Sequence, residues 1–135
     1  MRQKICAVLV ALIILLATVS LRAHHSPSAI FDMSKQFTMA GTLTKIDWIN
    51  PHIVVAIDVK SEEGKIQTWV FESNPPSWFR RVGVGRSEFA KAIGQSVMVE
   101  GVRAKDGSSY GYLQKITFAG GNSLELVSPS EANTR

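Results

Sequence analysis

Cysteine is nearly missing from this chain: Cys6 is the single one among 135 residues, and it lies in the apolar run that opens the sequence. A disulfide framework is thereby excluded, and so are thiol catalysis and paired-cysteine metal sites in whatever remains once that run is removed. Zinc-type His-x-x-x-His spacing is absent as well. No glycine loop has the strand-to-helix spacing that cradles a phosphate, Gly83, Gly85 and Gly94 being wrongly placed for it. No serine, cysteine or lysine stands in a recognisable nucleophile elbow or dyad. Asp47, Glu72 and Glu100 are isolated acids near strand positions and read as solvated faces or cross-strand partners. These absences turn the reading away from catalysis and toward a non-enzymatic module.

What is present begins with a leader. Met1-Arg2-Gln3-Lys4 supplies two positive charges, and Ile5 to Leu21 follows with nothing more polar than Cys6, Thr18 and Ser20. Ser20-Leu21-Arg22-Ala23 then ends on a small residue before the polar His24-His25-Ser26-Pro27. This layout predicts a signal peptide over residues 1–23. An uncleaved anchor is the rival, because the run reaches the lower end of the roughly 17–25 residues that span a bilayer as a helix. Cleavage predicts a periplasmic or secreted chain with no membrane attachment. It also removes Arg2, Lys4 and Arg22, so the formal +4 of the full chain falls to 12 basic residues against 11 acidic, a balance of +1. Most of the positive charge is therefore targeting, and no nucleic-acid partner is expected. The remainder suffices for one domain of ordinary size.

From Phe37 onward, short alternating runs are broken by turn residues, the pattern of an all-β domain. Phe37, Met39, Gly41 and Leu43 share one face, and the apolar phase then shifts to Ile46 and Trp48, as across a β-bulge. Asn50-Pro51 breaks this strand. Ile53, Val55, Ile57 and Val59 line a second strand, and Lys65 to Ser73 returns from a turn at Ser61-Glu62-Glu63-Gly64. Asn74-Pro75-Pro76-Ser77 is read as capping a short helix from Trp78 to about Val82, with a further helical turn or two from Ser87 closed by Gly94. Strands resume with Val97, Val99 and Gly101 and, after Lys105-Asp106-Gly107-Ser108, from Tyr110 to Phe118. Ser123 to Val127 offers one more short strand. Three strands, a short helical connection and two strands is the order of a small five-stranded OB-like β-barrel. A sandwich or a half-open barrel is the competing architecture. The domain is expected over residues 37–127, with a loosely ordered arm at 24–36 and a disordered tail at 128–135.

Several segments carry a resemblance. They are Ala23-His24-His25-Ser26, then Gly41-Thr42-Leu43-Thr44-Lys45-Ile46-Asp47-Trp48-Ile49-Asn50-Pro51-His52, Trp69-Val70-Phe71-Glu72, Arg80-Arg81, and Val99-Glu100-Gly101-Val102-Arg103-Ala104-Lys105-Asp106-Gly107-Ser108. Together they resemble a family of exported bacterial proteins of unknown function, DUF6152. The chain departs from the family at Arg81-Val82-Gly83-Val84-Gly85-Arg86, where the family tends to carry Gly-Trp-Thr after the arginine pair. The resemblance implies export and a small β-barrel; it brings no catalytic residues.

Two constellations are candidates for function. Cleavage after Ala23 would make His24 the N-terminus, and its α-amine and imidazole would chelate one metal ion together. An α-amine loses its proton at a pKa of about 7.7–8.0, against about 10.4 for lysine. His25 adds an imidazole, nitrogen-rich sites suit copper(II), and an arm extending at about 3.3 Å per residue leaves His52 within reach as a third ligand. The bland alternative is a mobile tip with no specific role. The second constellation is Trp48, Trp69 and Trp78 with Phe71 and Phe79, flanked by Arg80 and Arg81. On an OB-like barrel such a surface would bind a small anion, an envelope saccharide or a partner protein. Its bland alternative is that these aromatics are core, Trp69 and Phe71 sharing one strand face.

Overall fold

The computed structural model describes residues 27–126. The expected leader, His24, His25 and the C-terminal tail lie outside the described residues. Nine elements follow in chain order: α1 (Pro27–Ile30), β1 (Phe31–Asp47), β2 (Val54–Lys60), β3 (Ile66–Glu72), α2 (Pro76–Arg81), α3 (Arg86–Ala92), β4 (Ser96–Ala104), β5 (Tyr110–Phe118) and β6 (Ser123–Glu125).

The strands hydrogen-bond in the order β3-β2-β1-β4-β5-β6, and β3 also pairs in parallel with β5 through Val70↔Tyr110, Phe71↔Gly111 and Glu72↔Tyr112. That last pairing closes β1 to β5 into a barrel, which decides against the sandwich and the half-open sheet. The length of β1 makes closure possible. Its first half pairs with β4 up to Thr42↔Ser96, and its second half pairs with β2 from Thr42↔Asp58 onward. The register shifts between Leu43 and Lys45, so the phase change read from the sequence is a bulge that bends the strand from one wall into the next.

Alternation fills the interior. Leu43, Val55, Ile57, Phe71, Val99, Leu113 and Ile116 are each fully buried. Between β3 and β4 the two short helices lay Phe79 and Phe89 into the core, their rings edge-on at 5.7 Å, with Phe118 at 5.5 Å from Phe89. Helix α2 begins on Pro76, where a missing N–H costs nothing. It ends in a Schellman turn: Gly83 N–H reaches Arg80 O at 3.2 Å and Val84 N–H reaches Phe79 O at 2.9 Å. Gly83 takes the left-handed φ of +77° that this turn demands. Glu88 then accepts from the Gly85 N–H at 2.9 Å and starts α3.

The arm differs from expectation. In place of a loose segment up to residue 36, α1 occupies Pro27–Ile30 and β1 begins at Phe31. Phe31 pairs with Ala104 and is 1% exposed in a second, outer cluster with Val102, Ala104, Tyr110 and Tyr112. Asp32-Met33-Ser34-Lys35 between these anchors is the irregular stretch of the register, which is why no alternation marks it.

Candidate functional site

The outer cluster leads directly to a polar constellation on the barrel wall. Because Lys60 pairs with Ile66, the β2–β3 hairpin brings Glu72 opposite Val54 and diagonal to His52. His52 Nδ1 contacts Glu72 Oε1. The other carboxylate oxygen accepts from the Tyr110 hydroxyl at 2.6 Å, across the parallel seam. Beside them the Tyr112 hydroxyl donates to Asn74 Oδ1 at 3.0 Å, and Asn74 Nδ2 donates to Leu126 O at 2.6 Å. Phe31 packs on both tyrosines, with ring centroids 5.3 and 5.6 Å away. Burial, then the hydrogen bond to Glu72 and its charge, push the Tyr110 hydroxyl well above the ordinary phenol range. Tyr110 therefore remains a donor to the Glu72 carboxylate, which lies between the two side chains. In the neutral tautomer that donates from Nδ1 to Glu72, the His52 ring keeps its Nε2 lone pair for an outside partner. Such carboxylate support is the usual way a protein orients a metal-binding imidazole. The His52 side chain is 37% exposed and that of Glu72 17%.

The aromatic constellation divides in two. Trp48 and Trp78 are half-buried around α2, with Phe79 at 5.2 Å from Trp48 and 5.1 Å from Trp78. Arg80 and Arg81 stand exposed on the same helix. Ile49, next to Trp48, is 59% exposed, and Val82, next to Arg81, is 48% exposed. Trp69, by contrast, is 6% exposed, stacks with Phe71 at 6.2 Å and packs at a tilt against Phe37 at 5.5 Å. The arginine beside it is Arg103 of β4, whose guanidinium carbon lies 4.8 Å from the Phe37 centroid and 4.9 Å from that of Trp69.

The model of a family of unknown function, DUF6152, matches residues 12–114. The chain belongs to this family. No curated protein and no solved structure matches it. The span shared with DUF6152 takes in β1 to β4 and the start of β5, hence every residue of the His52–Glu72–Tyr110 group.

Among the described residues no group of three or more His, Cys, Asp or Glu side chains is placed to hold a metal ion, and His24 and His25 lie outside the described residues. The remaining acids behave as strand-face partners: Asp47 pairs with Lys45 at 2.8 Å, and Glu100 and Glu125 flank Lys115 at 3.4 and 3.1 Å. Tyr110 and Arg103 are not singled out by the sequence, and Glu72 reads there only as a strand-face or cross-strand partner. Counting outward from the Ser61–Gly64 turn would have set Glu72 diagonal to His52. No local signal announces Tyr110, because its partner arrives through the closing seam.

Proposed function

We propose that this DUF6152 chain is an exported, non-enzymatic binding module that engages an anionic component of the cell envelope through the surface around α2. The supporting observation is the exposed Arg80–Arg81 pair, set beside the half-buried Trp48 and Trp78 and the exposed Ile49 and Val82. Large apolar side chains rimmed by cations are what a partner offering both anionic groups and an apolar edge would meet. The test is an NMR titration of the processed protein with acidic and neutral oligosaccharides of equal length. The expected result is a salt-sensitive response at the Trp48 and Trp78 indole N–H groups, confined to the acidic ligand and lost in the Arg80→Ala/Arg81→Ala double variant. A response that the double variant retains would refute the reading.

A second reading, copper binding by the His24-His25 pair with or without His52, is favoured by one observation: the His52 ring is already oriented by Glu72 with Nε2 directed away from the carboxylate. Processed protein should bind copper(II) tightly, and one extra residue ahead of His24 should weaken that binding sharply. Equal affinities in calorimetry would rule it out.

A further inference from the structure

Arg103 is exposed, yet its guanidinium is held in place from below by two rings of the core, Phe37 and Trp69, that are themselves 5.5 Å apart. Among the described residues Arg103 forms no ion pair: the carboxylates that are paired meet Lys35, Lys45, Lys65, Lys115 or His52. Pairing sets the position: Phe37 of β1 lies opposite Gly101 of β4, two residues before Arg103. A guanidinium is a planar fork of five donors, and stacking on aromatic faces fixes its plane while leaving the donor edge open. The usual side-chain entropy penalty of arginine is thereby reduced before any ligand arrives.

We propose that Arg103, seated over Phe37 and Trp69, is an oxyanion-recognition site that takes a carboxylate or phosphate in bidentate fashion. The site is separate from the α2 surface and does not depend on it, since Arg103 variants leave Arg80 and Arg81 in place. The two sources of the anion are distinguished by the probe. The isotope-labelled protein is titrated with glucuronate, inorganic phosphate and glucose, while the Arg103 Nε–H and the Trp69 indole N–H are followed by NMR. The expected result is a saturable shift of both signals with glucuronate, phosphate or both, and none with glucose. Arg103→Lys, which keeps the charge and loses the fork, should bind at least about tenfold more weakly. Arg103→Met, which keeps an apolar cover over the rings, should not bind. Thermal melting of both variants verifies that the barrel is intact, and Arg103→Lys carries the test if Arg103→Met fails to fold. No saturable shift with either anion, or equal binding by wild type and Arg103→Lys, would overturn the proposal.

Discussion

Replacing Phe31 by alanine tests whether the outer cluster holds the start of β1 in place. The side chain is 1% exposed, its ring lies against Tyr110 and Tyr112, and Val102 and Ala104 complete its surroundings. Truncation of a buried phenylalanine costs about 3–5 kcal/mol, from lost transfer energy and the cavity left behind. Such truncation costs already include the lost ring contacts, so a loss near the middle of that range, about 4 kcal/mol, is expected. For a domain of this size, that corresponds to a fall in Tm on the order of 15–30 °C. Urea and thermal unfolding of the purified variant measure the loss, and amide exchange locates it. Protection should drop at Gln36 to Thr38 and at Val102, which pairs with Gln36. A loss below about 1 kcal/mol, the range of ordinary surface substitutions, would refute the reasoning and mean that β1 is anchored only from Gln36 onward.

Three further outcomes follow from the same wall. Gly101→Ala would bring a Cβ to 2.4 Å from Tyr112 O at the β4–β5 register shift; a backbone carbonyl cannot swing aside, so a loss of about 1–3 kcal/mol or more is expected in chemical denaturation, and an unchanged midpoint would contradict the register. Ser73 is 1% exposed and its hydroxyl has no hydrogen-bond partner among the described residues, so Ser73→Ala should hold or raise Tm, whereas a clear fall would reveal a bond to that oxygen. Tyr110 resists ionisation because of burial first and Glu72 second. In a Tyr112→Phe variant the remaining phenol should therefore titrate above the ordinary value of about 10. The folded pKa being raised, the stability it confers is complete below the unfolded value and is lost as pH rises through the folded one. A phenolate absorbance curve centred at or below the ordinary value would contradict the hydrogen bond.

How much of this was legible in the residues depends on how local its cause is. Alternation at Ile53, Val55 and Ile57 and the phase shift after Leu43 are local, and the structure places both as read: a filled wall and a bulge. The helix expected from Trp78 is present as α2 but starts two residues earlier, at Pro76, and stops at the Gly83 turn. Phe31 carries no such mark, since its neighbours Asp32 to Lys35 do not alternate and its burial depends on Val102 and the two tyrosines of β5. The same holds for the candidate sites. Arg80 and Arg81 are neighbours in the chain and were visible together, but Trp69 finds Arg103 only after β1 and β4 have paired. Trp69 also shows why an aromatic and an arginine that look adjacent on paper end up apart: its strand phase sends it inward, while α2 carries the arginine pair to the outside.

The parallel contact of Val70, Phe71 and Glu72 with Tyr110, Gly111 and Tyr112 sets an order of events for the nascent polypeptide. Those partners lie far apart along the chain, so the cylinder stays unsealed until nearly all of it is available, and such non-local topologies are slow to form.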